Sequence, residues 1–363
     1  MNKKELQKYI GTEELTVIEA MQKIDANTAG LLYIVNEEEK LSGCLTDGDI
    51  RRWIIKTGNL DGKVLQAMNK TPRYLLQTDV HKGKECMAEK GIYSLPVINT
   101  ERKIVDILFK EDMVVEYVEE NSTALENIPV IIMAGGKGTR LYPYTKILPK
   151  PLIPIGEIPI LERILNRFYH LGVREFFLTV NYKKEIIKSY FAELKPAYEI
   201  YYIEEDIPLG TAGSVQLIDR TFEKPVIITN CDTLIETDYG KALEHHIECG
   251  NSMTVISALK NIVVPYGVLH SEGNGIITSM EEKPKLTYFI NTGMYIVNPE
   301  YLNLIPKNKV YHMTDLVSCL VERGKQVGMY PISEKSFLDM GEFEAMKEME
   351  ERISDGHINQ YGV

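Results

Sequence analysis

Beyond Pro129 the chain alternates short apolar runs with longer segments in which apolar positions recur every three or four residues. "PVIIMA", ending at Ala134, reads as a buried strand. In "PILERILNRFYHLG", Ile160, Ile164, Leu165, Phe168 and Leu171 fall at helical spacing, and Gly172 marks the stop. "EFFLTV" then reads as a strand, "KKEIIKSYFAEL" as a helix and "EIYYIE" as a strand. "TAGSVQLIDR" reads as a helix and "PVIITN" as another buried strand. This alternation predicts a mixed, mainly parallel, Rossmann-like α/β sheet with helices on both faces and a ligand at the strand carboxyl ends. From Met253 to Val297 the pattern changes to short alternating runs with turn signals, a β-rich insertion within the same domain.

The first third is patterned differently. "YIVNEEEKLSGCLTDGDI" (33–50) is echoed by "PVINTERKIVDILFKEDM" (96–113): Asn36 matches Asn99, Lys40 matches Lys103 and Asp49 matches Asp112. Each copy reads as strand, charged turn, strand and helix. A helical stretch precedes each, with Val17, Met21 and Ile24 in the first and, more weakly, Val80, Lys84 and Met87 in the second. One such unit cannot close a core alone, and two can. "EENSTALENIP" (119–129) is polar and ends in Pro, as a linker does. The division is therefore 1–119, a linker at 120–127, and 128–363.

Composition narrows the function. A net charge of -11 disfavours nucleic acid and anionic membranes as general partners, so an anionic ligand has to be held by local cations. The five cysteines include no C-x-x-C pair and read as free thiols in a reducing compartment. The N-terminal "MNKKELQKYIGTEEL" lacks the apolar centre of a signal peptide, and no apolar run approaches membrane-spanning length. A cytoplasmic, soluble, homo-oligomeric protein is expected.

Gly135, Gly136 and Gly138, with Thr139, stand at the carboxyl end of the first strand beyond the linker. Glycines let backbone approach a ligand and present successive N–H groups to phosphate. The segment is not a P-loop, which needs G-x-x-x-x-G-K-[ST]. Nor is it a dinucleotide fingerprint, because prolines 143, 149, 151 and 154 forbid a long helix after it. Arg140 offers a planar fork to phosphate oxygens and Lys150 a point charge, held by the prolines on an extended arm.

"GGKGTRLYPYTKILPKPLIPI" resembles the signature of the sugar nucleotidyltransferases, which join a nucleoside triphosphate to a sugar 1-phosphate, and the likeness runs from about 128 to 353. The resemblance implies that "EEDIPLGTAGS" reads the base, with Gly210 and Thr211 against base and ribose. Members using uridine or thymidine triphosphate tend to carry glutamine where this chain has Glu205. A carboxylate only accepts hydrogen bonds; guanine offers N1–H and its 2-amino group side by side, whereas uracil and thymine present carbonyls. GTP is therefore the expected donor. The family's Mg²⁺ ligands correspond to Asp232 in "VIITNCDTL" and Asp339 in "SFLDMGEFEAM", where Phe337 and Glu342 depart from the usual tryptophan and threonine. Gly267, Glu282 and Asn291 would meet the sugar, and Lys283 its phosphate. Cys231 reads as a buried inert thiol, and His245 and His246 as surface or packing residues.

The repeated N-terminal unit resembles a CBS domain pair. In that family an S/T-x-x-D element holds an adenine nucleotide, which here implies Thr46 and Asp49; the alternative is a unit that only packs, with Asp47 and Asp49 in turn and N-cap roles. The second copy has Phe109 in place of the hydroxyl. The order of CBS pair and nucleotidyltransferase is similar to that of the glucosamine-1-phosphate guanylyltransferases of legionaminic acid synthesis. Mannose 1-phosphate is the competing acceptor, and uridylyl or thymidylyl transfer or a non-catalytic nucleotide sensor are the competing activities.

Overall fold

The structure is a computed structural model that describes residues 3–27, 29–83, 86–87, 92–109, 123–341 and 343–354. The chain divides into two compact units, Met1–Glu119 and Glu120–Val363. Among the described residues no helix is long and apolar enough to cross a membrane.

In the first unit the sequence repeat is a structural one, at a constant offset of 63 residues. Strand Leu31–Val35 pairs antiparallel with Leu41–Thr46, and Leu31 faces Thr46. Strand Ser94–Ile98 pairs likewise with Ile104–Phe109, and Ser94 faces Phe109. A short strand adds in parallel to each, Ile10–Thr12 and Leu75–Leu76. The turns repeat atom for atom: Asn36 Oδ1 accepts from the amides of Glu38 and Lys40, and Asn99 Oδ1 from those of Glu101 and Lys103. Each turn places a residue at positive φ, Glu39 at 60° and Arg102 at 64°. The Asx turn therefore sets the register of both hairpins. Lys40 bridges to Lys103, the same position in the other copy, and Tyr33 shares a hydrogen bond with Ser94. Tyr33, Leu41, Ile98 and Ile107 bury together, so the two copies close one core. The helix Val17–Asn27 buries Val17, Met21 and Ile24 as its spacing predicts. Its weaker counterpart differs: Val80 is exposed in a 3₁₀ segment, Gln77–Lys82, and Met87 alone is seen buried. Lys84 and Asp112 lie outside the described residues.

The second unit is built on a seven-stranded sheet in the order Glu199–Glu204, Glu175–Val180, Val130–Met133, Val226–Asn230, Lys285–Val297, Met253–Val263, Val327–Ile332. All neighbours are parallel except the two pairings of Lys285–Val297. Alternation along the strands decides the faces. Val130, Ile132, Phe176 and Leu178 bury against helices Ile160–His170 and Lys184–Leu194. Ile131, Phe177, Val226 and Ile228 bury against Leu302 and helix Met313–Glu322. Apolar on both sides, these strands read as continuous runs, as strands of a covered parallel sheet must.

One expectation needs correction. "TAGSVQLIDR" forms only one α-turn, Gly210–Gly213, and a 3₁₀ turn, Ser214–Leu217. The Ala212 and Gly213 amides donate to the Tyr311 carbonyl instead of waiting for helical partners. The segment from Met253 to Val297 is β-rich within the same domain, as expected: Met253–Val263 and Lys285–Val297 are long strands whose inner ends belong to the central sheet. A two-stranded ribbon, Gly267–Glu272 with Ile276–Glu282, stands out between them.

Candidate functional site

At the carboxyl ends of the parallel strands lies a cavity of about 380 Å³. Gly135, Gly136, Gly138, Thr139, Arg140, Lys150, Glu205, Gly210, Thr211 and Asp232, all singled out in the sequence, line it. Strand Val130–Met133 delivers the glycine loop, and Ala134 still bonds the neighbouring strand through the Thr179 carbonyl. Gly138 sits at φ 64°, and a Cβ there would stand 2.9 Å from both Lys150 Cβ and Thr145 Cγ2. The glycine is thus required for the loop to lie on Lys150 as well as for its backbone angle.

The extended arm expected for Lys150 is instead a pair of 3₁₀ turns, Tyr144–Lys146 and Lys150–Leu152. Proline permits the first turn of a helix, so the Pro-rich segment compacts rather than extends. Lys150 is buried, and its ammonium pairs with the Asp232 carboxylate. Asp232 follows strand Val226–Asn230, and its carbonyl accepts from the Met340 amide. Strand Thr233–Ile235 then pairs antiparallel with Phe337–Asp339, placing Thr233 opposite Asp339. Two acidic residues more than a hundred positions apart in sequence thus reach one corner. A Cβ on Gly341 would meet Arg140 Nη1 at 2.8 Å and Asp339 Oδ2 at 3.1 Å, so Arg140 closes the same corner. Burial, and then the Asp232 charge, hold the Asp339 carboxyl above its usual range; Lys150 and Arg140 pull the other way.

Glu205 is buried and lines the same cavity. Its Oε2 accepts from the Leu209 amide at 3.1 Å, and its Oε1 would stand 2.9 Å from a Cβ on Gly135. Burial raises its pKa, and the Leu209 bond offsets this in part.

The nucleotidyl transferase family model matches residues 129–356, well over half of the chain. The chain belongs to the nucleotidyl transferase family. A CBS domain model matches residues 12–56. Among curated relatives, a UTP–glucose-1-phosphate uridylyltransferase of Synechocystis is 33% identical over 53% of this chain and 55% of its own length. A mannose-1-phosphate guanyltransferase of Saccharomyces cerevisiae is 30% identical over 58% of this chain and 61% of its own. The chain thus spans little more than half the length of these relatives. The solved structure of HddC from Yersinia pseudotuberculosis superposes with a TM-score of 0.50 at 27% identity, over 62% of this chain and 99% of that one.

The remaining expected positions of the nucleotidyl transferase unit are less gathered. Gly267 and Glu282 are cross-strand partners on the exposed ribbon, and Lys283 follows at φ 49°. None of them lines the cavity. Asn291 also stands outside the lining; it donates to the Tyr295 hydroxyl and accepts from the Gly293 amide. Gly293 packs directly on Asn230, which does line the cavity. Asn230 and Thr179 were missed in the sequence, although each is the polar residue near the end of an apolar strand, where a ligand is expected. Cys231 is buried, and burial pushes its thiol pKa far up, as an inert thiol requires. His246 is buried between Thr254 and Asn298 as a packing residue.

In the CBS unit Thr46 is the N-cap of helix Asp47–Thr57, and Asp49 stands at its third position rather than at the cap. The two form a closed capping box: Thr46 donates to Asp49 through both its amide and its hydroxyl, and its Oγ1 accepts the Asp49 amide. The other Asp49 oxygen takes Arg52. A nucleotide here would share groups that already satisfy one another.

Two neighbouring carboxylates, one with its pKa raised partly by the other's charge, suit a divalent cation. Among the described residues there is no cluster of three or more side chains able to hold a metal alone. Two carboxylates suit an ion that completes its coordination shell with waters and phosphate oxygens.

Proposed function

We propose that this chain transfers a guanylyl group from GTP to a sugar 1-phosphate, giving a GDP-sugar and pyrophosphate. The observation that carries the reading is the corner where Lys150, Arg140, Asp232 and Asp339 meet beside a glycine-lined cavity that Glu205 also lines. A sugar-phosphate oxygen attacks the α-phosphorus; the bond from that phosphorus to the oxygen bridging the α- and β-phosphates breaks, and pyrophosphate leaves. No covalent enzyme intermediate is required, so the protein works by position and charge. The glycine-loop amides hold the triphosphate. Arg140 and Lys150 take up charge on the phosphate oxygens as it shifts towards pyrophosphate. Asp232 and Asp339 would hold Mg²⁺, which neutralises phosphate charge when bound. Gly267, Glu282, Lys283 and Asn291 receive the sugar phosphate.

Glucosamine 1-phosphate is the proposed acceptor, on domain order, and mannose 1-phosphate the alternative. A uridylyl donor remains the second reading of the base, supported by the uridylyltransferase likeness. The test is pyrophosphate release from four triphosphates crossed with glucose, mannose, glucosamine and N-acetylglucosamine 1-phosphates, with and without AMP. No release in any combination would leave a nucleotide-sensing module. An unchanged rate and no AMP binding to the full chain would remove the Thr46–Asp49 site.

Glu205→Gln tests base choice and has a second readout. Glutamine can still accept from Leu209 but offers guanine a mixed edge, so the GTP-over-UTP preference falls by about tenfold. The same change should raise the melting temperature at neutral pH. The folded-state pKa of Glu205 lies above its unfolded value, so ionising it costs stability, and the wild-type deficit shrinks as pH falls through that raised pKa. Equal relative rates on all four triphosphates would sink the base assignment. A melting temperature unchanged by the substitution would argue against the burial cost.

A further inference from the structure

The loop that carries Gly210 and Thr211 does not hold its own shape. It is laced to the chain at 311–313, ninety-eight or more residues away in sequence. The Tyr311 amide donates to the Leu209 carbonyl at 2.9 Å. The Tyr311 carbonyl accepts from Ala212 at 2.9 Å and Gly213 at 3.1 Å. Met313, the first residue of helix Met313–Glu322, donates its amide to Thr211 Oγ1 at 3.0 Å. Gly210 lies at φ 81°, and a Cβ there would meet the Tyr311 carbonyl at 2.6 Å and His312 Cε1 at 3.0 Å. The glycine is therefore needed for this close approach, whatever it offers a ligand.

One strand of this lacing differs in kind. The Thr211 amide donates to His312 Nδ1 at 3.4 Å. An amide can only donate, so Nδ1 must carry its lone pair, and the neutral ring keeps its proton on Nε2. His312 does not line the cavity, but both residues it backs do.

We infer that His312 is a positioning residue, which holds Gly210 and Thr211 against the nucleotide through an unprotonated Nδ1 and so makes triphosphate binding depend on the ionisation of this ring. The inference rests on reading the cavity as the triphosphate site. Protonation puts an N–H where the Thr211 amide needs an acceptor, and two donors then face each other. The loop must move by enough to part them, and Thr211 moves with it. Charged and titratable groups lie on the elements around the ring. Asp315, on its own helix, accepts the His312 main-chain amide at 2.8 Å. Tyr311 precedes it, with Cys319, Asp315 and Arg323 acting on that phenol. On the opposing loop Glu205 sits behind Leu209, and Lys309 passes its carbonyl near Gly213.

The experiment uses the full chain, with His312→Ala and His312→Asn, whose Oδ1 takes the place of Nδ1 but does not titrate. At alkaline pH, His312→Ala raises the KM for GTP by about fivefold, the worth of one hydrogen bond, with kcat little changed; His312→Asn restores it. On acidification that protonates the ring, the wild-type KM rises relative to that of His312→Asn. Substrate phosphates titrate in both proteins, so their effect cancels in the ratio. A ratio flat with pH, or a His312→Ala KM equal to wild type, overturns the inference. If the wild type turns over no substrate, the functional reading fails instead, and ring ¹⁵N shifts still decide the role of His312. A neutral ring protonated on Nε2, with a Thr211 amide shift that follows its titration, supports it; an amide shift that ignores the titration rejects it.

Discussion

Asp232→Asn should lower kcat by about a thousandfold, the scale for losing a charged group that acts on the transition state, while the protein stays folded. Three features argue for so large an effect from one oxygen-for-nitrogen exchange. Asp232 pairs with the buried Lys150, lies against the strand of Asp339 and lines the cavity. Asparagine keeps an oxygen for the Lys150 ammonium, so the corner stays hydrogen-bonded. What it cannot supply is the second negative charge that a divalent cation needs there. The backbone duty of the residue, accepting from the Met340 amide, is untouched. The checks are pyrophosphate release and a thermal melt of the same preparation. Near-normal turnover in a folded variant would end the case for nucleotidyl transfer at this corner.

Lys150→Ala should cost a similar factor in rate, and unlike the first change it should destabilise the protein in a pH-dependent way. Removing the ammonium leaves Asp232 and Asp339 beside each other with Arg140 as the cation still acting on Asp339. Asp339 is already above its usual range through burial and the charge of Asp232, with Lys150 opposing that rise. Without Lys150 the folded-state pKa climbs further above the unfolded one. The sign follows from linkage: stability is lost as pH rises through the folded pKa and regained on acidification below it. The melting temperature of Lys150→Ala should therefore approach that of wild type as pH is lowered from 7. Added Mg²⁺ should raise it more than it raises the wild type, because the cation then replaces the missing positive charge. The double variant with Asp232→Asn should lose much less than the product of the single losses, since the two residues act as one unit. A melting temperature that ignores both pH and Mg²⁺ would show that the carboxylates do not feel each other.

Several features of the site were legible as letters. The strand before Gly135, the helix from Ile160 to His170 and the strand ending at Asn230 follow from apolar runs and a 3.6-residue period, because both faces of this sheet are covered. The proline segment was misread: the spacing shows where prolines are, but not that adjacent turns will fold Lys150 inward onto Asp232. The segment from Thr211 onward was over-read as a helix, because its amides find a partner at Tyr311 that no local window contains.

The sequence by itself determined the order of elements, the repeat and its charged turns, the glycine loop, and the residue types able to hold phosphate and metal. These rest on interactions between residues a few positions apart, or on the period with which a chain meets its core. The tertiary structure alone decided that Asp339 stands near Asp232, that Lys150 pairs with Asp232, and that His312 backs Thr211. Each of those depends on the pairing of segments a hundred or so residues apart, and such pairing is fixed by the packing of the whole sheet rather than by any local pattern.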